Sequence, residues 1–126
     1  MPWKPPKLNE LPIEHLDRLP QGGRDIDLME FTRCAEFRYL DSNQDGFPNV
    51  VLGISSRVSE IGLLLGGVRA IRIPEVTGRL WFSEIEIVDI KDRMMEGIRF
   101  VVQSKNGDGL QCYCAAIECI QFDSLV

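Results

Sequence analysis

Four groups of residues have the types and spacing for chemistry. Asp41-x-Asn43-x-Asp45-Gly46 matches the opening of a calcium loop, in which alternating oxygen side chains converge on a hard cation and glycine makes the sharp turn. The twelfth loop position, where a bidentate glutamate belongs, is Leu52, and Pro48 interrupts the loop. A polar hairpin loop, with Asp and Asn bonding their own backbone, accounts for the same residues. Cys112-x-Cys114-x4-Cys119 suggests a thiolate metal site, but zinc takes four ligands and the single histidine, His15, lies far away in sequence. Small thiols are among the commonest buried residues, so core packing is the preferred reading. Glu84 and Glu86 share one strand face, with Asp89, Asp92 and Glu96 following. Glycosidases set their carboxylates across a cleft, so this series reads as a solvated sheet face or an acidic docking strip. A Ser–His or Cys–His pair would have to borrow His15 from the N-terminal segment. No catalytic residue, metal or cofactor is expected, and the chain is expected not to be an enzyme.

The elements that position these residues are strands. From Gly78 to Phe122, Ile85 and Ile87 alternate with Glu84 and Glu86, and Ile98, Phe100 and Val102 repeat the pattern. Asn106-Gly107-Asp108-Gly109 supplies a hairpin reversal before Leu110, Cys112 and Cys114 resume the alternation. The apolar parity flips between Ile87 and Val88 and again near Ala115-Ala116, which predicts a β-bulge or bend at each. Upstream, strands are expected over about 32–40 and 49–55. A hairpin from Ile61 to Ile73 is expected to carry Gly66-Gly67 at its tip, and Pro74 and Gly78 to bracket a turn. Asp27 with Glu30 resembles a capping box ahead of the first strand.

The sum is a mainly β chain: an antiparallel meander of about seven strands forming a strongly bent sheet, a sandwich or a partly open barrel. Residues 1–25 stand apart as an irregular arm, and 26–126 form a single β-rich domain. Five of the seven prolines fall in the first 20 residues, which disfavours a central strand there. Pro12 to Leu19 could make two helical turns with Ile13, Leu16 and Leu19 on one side.

Composition narrows the classes of function. A chain of 126 residues is one domain by size, and 44% apolar with 26% charged residues is ordinary for a globular protein. No apolar run reaches the ~20 residues that cross a bilayer, and the N-terminus lacks a signal-like apolar core, so no membrane and a cytoplasmic location are expected. Four cysteines with no legible pairing fit reduced thiols. A net charge of −5 argues against nucleic acid and suits a basic partner surface.

Ile85-x-Ile87-x-Asp89-Ile90, Glu96-Gly97-Ile98-x-Phe100 and Cys114-x-x-Ile117-Glu118 together resemble small bacterial immunity proteins that accompany polymorphic toxins. The likeness is one of texture and covers residues 80–122. It implies a protein that binds and silences one cognate toxin presenting a basic surface. The residues expected to meet that partner are Glu84, Glu86, Asp41 and Asp45, with Trp81 or Tyr39 as anchors. The alternatives are a small-molecule-binding β-barrel and a self-associating structural domain, the latter a homodimer.

Overall fold

The computed structural model describes residues 8–24, 26–41, 46–73, 85–90, 97–104 and 109–125. Among the described residues eight strands follow in chain order: β1 (Arg33–Leu40), β2 (Asn49–Ser55), β3 (Ser59–Gly66), β4 (Ala70–Arg72), β5 (Ile85–Asp89), β6 (Phe100–Ser104), β7 (Gln111–Cys114) and β8 (Ala116–Ser124). They form two antiparallel four-stranded sheets, ordered β1-β2-β3-β8 and β4-β7-β6-β5. Alternation drives this layout. Val50, Leu52 and Ile54 on β2, with Ile61, Leu63 and Leu65 on β3, turn one face inward. They meet Ile85, Ile87, Phe100, Val102, Cys112 and Cys114 from the second sheet in a single core.

The two sheets share a bent ladder. β3 continues into β4 while the paired β7 continues into β8, and both bend at the same level. Hydrogen bonds run unbroken around the corner: Ala115 N–H donates to Gly66 O (2.9 Å) and Arg69 N–H to Tyr113 O (2.9 Å). Gly67 sits at the bend with φ of 64°, and a Cβ there would lie 3.0 Å from that of Ala115. The change of parity near Ala115-Ala116 is therefore a strand crossing between layers. Gly66-Gly67, expected at a hairpin tip, instead marks this corner: β3 and β4 do not pair with each other. β1 and β5, at the two far edges, are not paired with each other either, and the described strands form no closed barrel.

The bulge expected between Ile87 and Val88 is absent. β5 runs in unbroken register with β6, Val88 opposite Val101, and Ile90 is buried just beyond the strand end. Register shifts occur instead at Cys34/Glu36 on β1 and opposite Gly62/Leu63, where Ile120 is the extra residue of β8. The β6–β7 pairing expected around the Asn-Gly-Asp-Gly stretch is present, Gln103 lying opposite Gln111. Its tip (105–108) and the Pro74–Gly78 turn lie outside the described residues.

The N-terminal arm is built into the core. Leu8, Leu11, Ile13 and Leu19 are all at most 6% exposed. The expected helix over Pro12–Leu19 is replaced by short 3-10 turns at Leu16–Arg18 and Pro20–Gly23. The reason is that Glu14 spends its backbone groups on a strand edge. Its N–H donates to Ile117 O (3.0 Å), and its carbonyl accepts from Cys119 N–H (2.9 Å), a one-residue parallel bridge to β8. His15 follows at φ of 60°, which breaks any helix before it starts. Asp27 caps a 3-10 turn (Leu28–Glu30) by accepting from Met29 N–H at 3.0 Å, close to the capping read from sequence. One sheet edge, β8, is thus covered by the arm, while β1 at the other side is exposed along most of its length.

Candidate functional site: an acidic trench floored by glycine

The outward face of the β1-β2-β3-β8 sheet carries the most distinctive arrangement. Gly53 on β2 and Gly62 on β3 lie directly opposite each other. Each is flanked by a charged or polar neighbour on the next strand, Glu36 opposite Gly53 and Gln121 opposite Gly62. A Cβ at Gly53 would come within 3.1 Å of Glu36 Cβ and 3.3 Å of its backbone nitrogen. At Gly62 it would lie 3.2 Å from Gln121 Cβ and 3.3 Å from Ile120 Cγ1. Glycine in a strand interior gives up packing, and here it leaves a trench of about 180 Å³ across the sheet.

Carboxylates rim that trench. Glu60 on β3 is directly opposite Asp123 on β8, and both face outward, since Ile61 and Phe122 beside them turn toward the core. Like charges directly opposite on a sheet destabilise it. Neither carboxylate forms an ion pair among the described residues; Asp123 accepts only from Gln121 Nε2 at 2.5 Å. Glu36 pairs with Arg38 at 3.4 Å, but both side chains are more than half exposed (51% and 60%), so the pair adds little stability. Glu118, in the next row, is held by the arm through His15 Nε2 at 3.2 Å and Arg18 at 4.0 Å. The face can therefore present negative charge to a cationic surface, with room for a side chain over the glycines.

The residues expected from sequence are dispersed. Tyr39 and Asp41 lie at the exit of β1, both exposed, Tyr39 at 53%. Glu86 sits on the other sheet, facing away from the trench across the core. It accepts from Gln103 Nε2 at 2.7 Å, and Gln103 in turn accepts from Gln111 Nε2 at 2.9 Å, so the row is a hydrogen-bonded ladder. Asp89, at the end of the same strand, pairs with Arg99 at 3.6 Å. Glu84, Asp45 and Trp81 lie outside the described residues, as does Asn43 of the calcium-like loop. Sequence reasoning missed Glu36, Glu60 and Asp123; the available signal was a glycine at the centre of each of two apolar alternating strands.

The cysteines are core residues. Cys112, Cys114 and Cys119 are fully buried, and all four thiols are free. Burial pushes Cys112 and Cys114 up to about 12 and Cys34 to about 11 from 9.0; the Cys119 thiol is also raised by burial. Raised acids hold protons more tightly when folded. Their contribution is intact below pH 9 and is lost as pH climbs from 9 toward 12, so stability falls over that window. Cys34, the one thiol partly open to solvent, is expected to react with a disulfide reagent at pH 8 about 100-fold more slowly than a free cysteine. Stopped-flow absorbance checks this, and denaturant should release all four thiols.

Among the described residues, the group of side chains whose ligand atoms come within 4.8 Å of one another is Glu14, His15 and Glu118, not the cysteines. With Arg18 alongside, that cluster reads as the polar fastening of the arm to β8. Among the described residues, no helix is long and apolar enough to cross a membrane. No family model, curated protein or solved structure matches this chain.

Proposed function

We propose that the protein is a non-enzymatic binding module whose acidic sheet face docks on a basic partner protein. We further propose that it acts in the bacterial cytoplasm as an immunity protein, neutralising one cognate toxin. The observation that carries the reading is the unneutralised Glu60–Asp123 pair beside the glycine floor. A fold selected only for stability gains nothing from two opposed carboxylates, whereas a cationic partner would satisfy both at once. The trench admits a long basic side chain over Gly53 and Gly62, and charge complementarity speeds encounter more than it deepens affinity. Tyr39 at the exit of β1 supplies an aromatic at the margin of the same sheet.

The test is co-expression with the product of the adjacent upstream gene. That product is expected to arrest growth alone and to be harmless with this protein present, and the two are expected to co-purify. A neighbour that is harmless alone, or equally lethal with the protein present, removes the immunity reading. A second reading, pairing of two copies along the open edge of β1, rests on the exposure of Tyr39 and Leu40 there. The charged side chains and the bulge at Cys34/Glu36 work against it, and light scattering is expected to give a monomer.

A further inference from the structure

We propose that the cleft where β1 begins and the β2–β3 connection turns is a binding site for a small phosphate monoester. This goes beyond partner docking and uses different residues. The cleft is open, measures about 610 Å³, and is lined by Glu30, Thr32, Arg33, Ser55, Ser56 and Arg57 among others. That volume lies within the range of small-molecule sites, roughly 300–1,000 Å³.

Its charge is unusual for a chain of net −5. Four other described arginines are already engaged, Arg18 with Glu118, Arg38 with Glu36, Arg99 with Asp89, and Arg69 stacked 3.1 Å above the Phe47 ring, while Arg24 and Arg72 stand apart from this cleft. Arg33 and Arg57 form no ion pair among the described residues, and both line the same cleft. Two guanidiniums offer planar pairs of N–H donors that match the oxygens of a phosphate dianion, and a hydroxyl at Thr32 adds a further donor. Glu30 is the carboxylate of this lining, which leaves a surplus of one positive charge and an acceptor for a hydroxyl on the ligand's organic part.

The wall is pre-organised. Ser55 and Ser56 are 4% and 7% exposed. Ser55 Oγ donates to Ser56 O (3.0 Å), and Ser56 Oγ accepts from Val58 N–H (3.2 Å) and Ser59 N–H (3.1 Å). These bonds fix the turn that carries Arg57, and β1 pairing fixes Arg33 opposite Ser55. Less ordering remains to be done when an anion arrives.

The experiment is calorimetric titration of the full chain with inorganic phosphate, phenyl phosphate and benzoate. It is repeated on Arg33→Gln, Arg57→Gln and, as a control on the other sheet, Arg72→Gln. Saturable binding of phenyl phosphate is expected, tighter than that of benzoate. It should weaken about 10- to 100-fold in each cleft variant and stay unchanged in the control. Thermal melts confirm that each variant is folded. Absence of saturable binding in the folded native chain overturns the proposal, as does unchanged affinity in Arg33→Gln and Arg57→Gln. Benzoate binding as tightly as phenyl phosphate overturns the phosphate assignment. None of these outcomes touches the acidic face, whose test is separate.

Discussion

An Asp123→Lys protein is expected to melt at the same temperature as the native chain or slightly higher, and to associate with the basic partner proposed above about tenfold more slowly at low salt. The two effects have one cause. Asp123 lies opposite Glu60, so lysine converts a repulsive cross-strand pair into an attractive one. Such pairs shift stability by about 0.2–1 kcal/mol, the upper end being reduced here by solvent exposure and by the lost bond from Gln121. The same change puts a positive charge on the rim that should meet a cationic surface. Encounter rates respond to rim charge, so the loss should shrink as salt is raised. Stability and binding moving in opposite directions is the signature of a site kept for function at the expense of the fold. Glu86→Lys is the comparison, because Glu86 sits on the opposite sheet in a hydrogen-bonded row. If Glu86→Lys slows association and Asp123→Lys does not, the docking face is the other sheet. Surface plasmon resonance across a salt series, alongside thermal melts, reads all of these quantities.

Deleting the chain up to Arg24 is expected to abolish cooperative folding. The segment reads like a detachable arm, yet Leu8, Leu11, Ile13 and Leu19 are buried in the common core. Each such side chain contributes about 1.5–3 kcal/mol, so the four together reach about 6–12 kcal/mol as an upper figure. That is comparable with the whole stability of a domain, about 5–15 kcal/mol. The deletion also strips the Glu14 bridge and the Arg18 bond to Cys119 O from the β8 edge, leaving backbone groups open to edge-to-edge association. Circular dichroism should show no sigmoidal melt, and light scattering should show aggregates. A milder variant, Leu19→Ala, keeps the edge covered and should lose about 2–5 kcal/mol in urea titration. A truncated chain that melts cooperatively at the native midpoint would show the arm to be dispensable.

Strand identity was legible because alternation is local. Val50, Leu52 and Ile54 announce a buried face without reference to any other segment, and β2 runs Asn49–Ser55 as its pattern indicates. The corner at Gly66-Gly67 was not legible, since two glycines between apolar runs look alike whether the chain reverses or bends. What decides is the pairing of β3 with β8 and of β4 with β7, strands much later in the chain. The bulge expected at Val88 failed for a related reason. Val88 stays on the outward side opposite Val101, itself only 3% exposed, so an apolar residue there needs no change of register. The trench was hidden because Glu36, Glu60 and Asp123 come from three strands and are brought together only by register. Glu86 shows the converse: its outward parity was correct, but its bond to Gln103 depends on a neighbour strand the sequence does not align.

The corner ladder has a mechanical consequence. Because one pair of continuous strands belongs to both layers, neither layer can peel away as a unit; separating them requires tearing the shared ladder of β3–β4 against β7–β8. The closing contacts join Ser59 to Ser124, so β8, which follows the other seven described strands in chain order, completes the ladder that runs on into the second layer. Until β8 arrives, the earlier strands hold an unsealed seam, and the finished molecule opens all at once or not at all.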